Sequence, residues 1–278
     1  MPHNLQIFYL LTAAGAGLVI GSFLNVCIYR VMRDLSVVRP RSFCPQCENP
    51  IAWYDNVPLL SFILLQGKCR WCSSRISWRY PLVEAFTALA FAAVTYRYEF
   101  TLVALKWMVF ESLMIVLFWT DLEERILPDE FTLGGAVLGA ILSCFVSVPG
   151  MLGELLLGNG RPVWQSLFNM ATGAALMAGP IWLAGFLYAK WRKKEGLGFG
   201  DIKLLVMLGA FLGADGGLWA LLMGAISGSI IGIAFILLAR KEIRSYELPF
   251  GSFLCAAAAC VPLLNQMGET IAGRSEHF

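Results

Sequence analysis

Histidine is almost missing from this chain: its 278 residues contain only His3 and His277. A Ser-His or Cys-His hydrolase needs a buried imidazole base. A helical zinc peptidase needs two histidines one turn apart. Neither can be built from one histidine at each end of the sequence. Charge is scarce too, at 14% of residues, against 58% apolar residues and a mean hydropathy of +0.68. Soluble domains carry about 25% charge and 45–50% apolar residues. The composition therefore describes an all-α polytopic membrane protein whose surroundings are the lipid bilayer. No nucleic-acid partner is expected. The net charge of +2 decides little; the placement of the charges decides more.

Crossing the hydrocarbon takes roughly 20 mainly apolar residues. Charge-free runs of that order occupy 4–29, 131–153, 162–189, 216–239 and 248–268. Three weaker candidates are 80–96, then 102–120, which Lys106 and Glu111 interrupt, and the short 202–213. About eight spans result. The first lacks a basic stretch before it and exceeds a usual signal-peptide core, so it is expected to remain as a membrane helix. With eight spans, 17 Lys and Arg residues fall on one face, among them Arg30, Arg41, Lys68, Arg75, Arg125, Lys193, Lys194, Arg240, Lys241 and Arg244. Only Arg97, Lys106, Arg161 and Arg274 fall on the other. The positive-inside rule makes the first face cytoplasmic and puts both termini outside. The expected organisation is a first span over 1–29, a cytoplasmic domain over 30–79 and a membrane domain over 80–278.

Segment 30–79 carries Cys44-Pro-Gln-Cys47 and Cys69-Arg-Trp-Cys72, with twenty-one residues between the pairs. Two such knuckles can offer four thiolates to one tetrahedral zinc. In the reducing cytoplasm a zinc-ribbon-like site is favoured over disulfides or redox chemistry. Four protein ligands leave no open position, so this zinc is structural and supplies folding free energy to a thin domain. The other cysteines, Cys27, Cys144, Cys255 and Cys260, lie in apolar spans and read as small hydrophobes.

Two aspartates fall at the cytoplasmic boundary: Asp121 in WTDLEERILPD and Asp201 in GFGDIKL. Carboxylates brought together at a partly dry site share a proton. One then acts as base on a water and the other as acid toward a scissile carbonyl. Gly198 and Gly200 leave room for a substrate backbone, and Pro128 redirects the chain after Asp121. Lys203 either tunes the pair or only reaches toward water. Asp201 could instead be a helix N-cap. The 120–130 loop opposes Asp121, Glu123, Glu124, Asp129 and Glu130 to the lone Arg125, an acidic patch able to steer a basic peptide or an inert solvated loop.

GSFLNVCIYR at 21–30, the paired cysteine knuckles, RYPLVEAFTAL at 79–89, the Asp121 segment, GFGDIKL at 198–204 and LPFGSFL at 248–254 occur in one order. Together they resemble the type IV prepilin peptidases along nearly the whole chain. The resemblance implies an inner-membrane enzyme that removes the short basic leader of prepilins and pseudopilins at the cytoplasmic face. It also implies methylation of the new N-terminal residue, usually Phe, with S-adenosylmethionine. The family's catalytic aspartates fall on Asp121 and Asp201. No G-x-G-x-x-G follows a strand, so no Rossmann-type site for the methyl donor is available; region 21–84 is the expected contributor, with no ligand assigned. Two other readings are a general Gly-x-Gly-Asp signal-peptide protease, against which the cysteine knuckles argue, and an ion-coupled transporter using membrane-buried acids.

Overall fold

The computed structural model describes residues 3–39, 41–158, 161–192, 198–238 and 248–264. Lys193, Lys194, Arg240, Lys241, Arg244, Arg274 and the expected end of the last span at 268 lie outside them. Nine α-helices are described: α1 (His3–Val31), α2 (Leu60–Leu64), α3 (Arg79–Tyr98), α4 (Leu102–Glu124), α5 (Asp129–Leu142), α6 (Met151–Leu157), α7 (Pro162–Arg192), α8 (Phe199–Leu238) and α9 (Phe250–Leu264). No strand occurs among the described residues, only isolated bridges. By length and composition, four helices can each cross a membrane, over Asn4–Val31, Leu102–Glu124, Pro162–Arg192 and Phe199–Phe235, and α9 is a shorter apolar helix. The protein is a helical, multi-pass membrane protein.

The chain divides into two compact units, Met1–Val116 and Leu117–Phe278. In the first, α1 and α3 run side by side in opposite directions. A Cβ on Gly17 would meet the Ala88 backbone at 2.6 Å, and one on Gly21 the Glu84 backbone at 2.8 Å. Small residues let membrane helices approach this closely. Asn25 donates to the Tyr80 carbonyl at 3.0 Å. The charges that interrupt the α4 sequence are buried: Lys106 is 0% and Glu111 3% exposed. Lys106 Nζ lies 5.0 Å from the Trp107 ring centre.

In the second unit α8 packs on α5, α7 and α9. Its 40 residues are one helix only in name, because Gly213 has φ 70 and ψ −171. A Cβ on Gly209 would strike Gly173 and Ala174 of α7 at 2.4 Å, and one on Gly217 would meet Met177 at 3.0 Å. Eight residues of straight helix advance about 12 Å, whereas those α7 partners are about one turn apart. The two ends give the same answer. Asp201 feels the charge of Asp121, and Asp121 is bonded to Ser252 in the first turn of α9. A Cβ on Gly232 would strike the Leu248 side chain, just before α9, at 2.5 Å. A straight helix would hold residues 201 and 232 about 46 Å apart. The chain therefore reverses at Gly213, where the expected runs 202–213 and 216–239 meet.

One expected span needs correction. Residues 131–153 do not form a continuous helix: α5 ends at Leu142 and α6 begins at Met151. The 14 residues of α5 rise about 21 Å, so a crossing of the roughly 30 Å hydrocarbon here also uses the non-helical residues 143–150. Pro149 and Gly150 lead into α6, and between the two helices buried polar side chains take over the freed backbone groups. Ser166 donates to the Ser143 carbonyl and accepts from Val148 N–H, while Asn169 bonds both the Val148 carbonyl and Gly153 N–H. Asp215 accepts the N–H of Met151 at 2.9 Å.

Candidate active site and metal centre

The four cysteine thiols converge as the spacing predicts: all four Sγ atoms lie within 4.8 Å of one another. A tetrahedral zinc with Zn–S bonds of about 2.3 Å needs sulfurs about 3.8 Å apart. Cys44 and Cys72 Sγ are separated by 3.8 Å. The donor set and its spacing fit zinc.

The two knuckles are copies of one backbone design, offset by twenty-five residues. Cys44 N–H donates to Asn49 O, Glu48 N–H to Cys44 O and Ile51 N–H to Ser42 O. Cys69 N–H donates to Ser74 O, Ser73 N–H to Cys69 O and Ile76 N–H to Gly67 O. Bridges Phe43–Pro50 and Lys68–Arg75 close the two loops, and Glu48 and Ser73 both take positive φ, 56° and 58°. Equivalent side chains touch sulfur in each copy. Asn49 donates to Cys47 Sγ at 3.6 Å, and the Ser74 hydroxyl lies 3.1 Å from Cys72 Sγ. Asn49 and Ser74 were not singled out in the sequence, although each stands two residues after a knuckle's second cysteine.

Burial pushes the Cys44 thiol up, but contacts with the backbones of Gln46 and Cys47 and with Ser74 outweigh it and leave the group at about 6. Cys47 rests at about 11: its contact with the Asn49 backbone lowers it, while burial and protons shared with the other thiols raise it. A cluster holding its sulfurs this close shares protons when no cation replaces them.

Asp121 lies in the last turn of α4 and is 6% exposed. Its Oδ2 accepts from both the backbone N–H and the hydroxyl of Ser252, the latter at 2.8 Å. The Ser252 hydroxyl also lies 3.1 Å from the Phe118 carbonyl; it has one proton to give. The Ser252 N–H is in the first turn of α9, where helix N–H groups lack internal partners and a negative charge is favoured. Gly251 is the close neighbour on the other side: a Cβ there would stand 3.0–3.2 Å from the three atoms of the Asp121 carboxylate. Gly251 and Ser252 were legible only as part of the LPFGSFL resemblance.

Asp201 is the third residue of α8, not the residue before it, so it is no N-cap. It is half-buried and within electrostatic reach of Asp121. Cys255 is fully buried and within reach of both charges. Gly198 borders Asp201: a Cβ there would be 3.7 Å from Oδ2. Gly200 serves packing, since its Cβ would come within 3.2 Å of Leu127. Lys203 turns away from the pair and grips Asp129 in the first turn of α5, its Nζ at 2.6 and 2.7 Å from the two carboxylate oxygens. Pro128 adopts an extended conformation between α4 and α5 and starts the new helix.

A multi-pass helical membrane protein with a four-thiol centre in one unit and a pair of interacting aspartates in the other is thus defined. Comparison with known proteins identifies which. Residues 16–98 match the bacterial peptidase A24 N-terminal domain, and residues 108–237 match the type IV leader peptidase family. A prepilin leader peptidase/N-methyltransferase of Aeromonas hydrophila is 34% identical over 286 residues, 92% of this chain and 91% of that protein. One from Neisseria gonorrhoeae is 31% identical over 266 residues, 87% of this chain and 86% of that protein. One from Myxococcus xanthus is 40% identical over 226 residues, 80% of this chain but 61% of that protein. No solved structure matches the chain. The chain belongs to the type IV leader peptidase family.

Proposed function

We propose that this protein is an inner-membrane prepilin peptidase that cleaves the basic leader of type IV prepilins and pseudopilins with Asp121 and Asp201. The observation that carries the reading is that the start of α8 sits on the α4–α5 connection, Gly200 against Leu127 and Lys203 on Asp129, with Asp201 in electrostatic reach of Asp121, in a chain whose two histidines cannot supply a base. Ser252 occupies Oδ2 of Asp121 with two donors and leaves Oδ1 as the oxygen to work on a water or the scissile amide. One carboxyl of the pair is ionised and draws a proton from the attacking water; the other is protonated and donates to the substrate carbonyl. Gly198, beside Asp201, leaves the approach open to an extended backbone.

The proposed layout is a first span over 1–29, a zinc domain over 30–79 and a peptidase domain over 80–278. Eight crossings place the zinc domain and both aspartates in the cytoplasm and both termini in the periplasm. Cys44, Cys47, Cys69 and Cys72 would hold a structural zinc. N-methylation of the new N-terminus with S-adenosylmethionine rests on the names of the relatives and on the resemblance, without assigned residues.

The deciding experiment is in vitro cleavage of a prepilin by Asp121→Asn and Asp201→Asn proteins. Asparagine can still accept the Ser252 hydrogen bonds, so a role limited to capping α9 would leave activity largely intact. The dyad requires each variant to lose about 10²–10⁴-fold or more in rate. Full cleavage by either would refute the assignment.

A further inference from the structure

Between the two knuckles the chain makes a short excursion through a 3-10 turn, Trp53–Asn56, and α2. Its apolar side chains face outward: Trp53 is 76%, Leu60 53%, Ile63 69% and Leu64 72% exposed. Its backbone is satisfied from within. Val57 N–H donates to the Ser61 hydroxyl, which donates to the Tyr54 carbonyl. Leu59 takes φ 57 and ψ −47, and the Leu60 N–H closes back on the Pro58 carbonyl at 2.6 Å. That is a γ-turn of the rare, strained hand. The Leu59 N–H is received by Glu84 of α3, at 2.8 Å.

The level of that anchor gives it meaning. Glu84 packs against Gly21 of α1, and Gly21 lies ten residues, about 15 Å, before the end of α1 at Val31. α1 is long and apolar enough to cross a membrane. Leu59 is therefore held level with the interior part of a span, where a backbone donor has no water and must find a protein acceptor. Polar groups inside and leucines outside reverse the pattern of a water-facing loop. The rest of the lobe suits a headgroup layer: residues 41–79 contain five basic residues (Arg41, Lys68, Arg70, Arg75 and Arg79) against two acidic ones, Glu48 and Asp55. Trp71 and Trp78 are also exposed, at 68% and 71%, the residue type that favours the membrane interface.

We propose that α2 and its 3-10 turn form an interfacial membrane anchor for the metal domain. Trp53, Leu60, Ile63 and Leu64 lie against acyl chains, the exposed Arg41, Lys68 and Arg75 face anionic phospholipid headgroups, and Glu84 is the positioning residue that holds the anchor at depth. The domain does not hang in water from its two tethers; it lies on the bilayer and keeps one orientation there.

The test places the photoreactive residue p-benzoylphenylalanine at position 63 in the full-length, metal-loaded protein. The protein is set in nanodiscs of phosphatidylethanolamine with a minor fraction of phosphatidylglycerol. Irradiation should give a phospholipid adduct as the main product, several-fold reduced when phosphatidylcholine replaces both lipids. A main adduct to another part of the chain or to added prepilin, or no adduct at all, as expected of a residue facing water, would overturn the proposal. Glu84→Ala should lower the lipid adduct several-fold with bound metal unchanged, and Glu84→Gln, whose amide oxygen still accepts from Leu59, should restore it. An unchanged yield in Glu84→Ala, or loss of the metal with it, would remove Glu84 from the positioning role.

Discussion

At the residue scale, the proposed reactive geometry depends on what is absent beside Asp121 as much as on what is present. Gly251 leaves 3.0–3.2 Å between a would-be Cβ and the carboxylate atoms, so Gly251→Ala forces Asp121 to shift while keeping both carboxyl groups chemically intact. A displacement near 1 Å costs on the order of 10²-fold in rate. Gly251→Ala is expected to lose prepilin cleavage on that scale, seen in kcat more than in KM, with expression and metal content unchanged. The surface pair Arg70–Asp55 offers a pH-dependent counterpart. The hydrogen bonds from Arg70 hold the Asp55 carboxyl below the ordinary carboxylate range. A lowered folded value means the pair stabilises the fold above about pH 4, and this contribution fades as pH falls through the folded value. The stability gap between wild type and Asp55→Asn, followed by thermal unfolding against pH, should be present at neutral pH, small because the Arg70 side chain is 48% exposed, and closed in strong acid.

At the scale of elements, the two knuckles and the Gly213 reversal carry the architecture. The knuckles have little apolar core, so chelation of the metal should unfold 42–76 and expose its amides to hydrogen exchange, while α7–α9 stay protected. Cys69→Ser should do the same without chelator. Gly213 sits at φ 70, and a Cβ there would also approach the Pro149 carbonyl to 2.7 Å. Gly213→Ala is expected to destabilise the second unit by at least about 1 kcal/mol, read as a lower midpoint of thermal unfolding in detergent. The knuckle repeat illustrates what a sequence hides. Its two copies share only the cysteines, the closing isoleucine (Ile51 and Ile76) and the spacing, because the design consists of main-chain hydrogen bonds and two positive-φ positions filled by Glu48 and Ser73.

At the scale of the whole molecule, topology and charge set how a substrate arrives. The proposed eight crossings require reporters fused at either terminus to read as periplasmic and reporters inserted at 46 or near 195 as cytoplasmic. The opposite pattern would invert the proposed orientation. The acidic loop is smaller in effect than its composition implies, because Lys203 engages Asp129. Glu123 and Glu124 are exposed, and any steering of a basic leader by this loop falls on them. Glu123→Gln with Glu124→Gln should lower kcat/KM several-fold at low ionic strength, with the difference vanishing at high salt. Unchanged kinetics at every salt concentration would make the loop inert.

Composition alone settled the membrane class, because too little charge and too much apolar surface leave no other stable solution. The C-x2-C spacing announced the four-thiol cluster, since two thiols per knuckle are a local property of the chain. The scarcity of histidine narrowed the catalytic candidates to aspartates for the same reason: it concerns which side chains exist. Everything that depended on long-range contact waited for the tertiary structure. Only there does Lys203 prefer Asp129 to Asp201, the run 131–153 break where Ser166 and Asn169 can satisfy its backbone, and the chain reverse at Gly213. Asp121 found its partner, Ser252, 131 residues away. Hydropathy and spacing cannot encode such a bond, because its geometry is created by helices that meet only after the chain has folded.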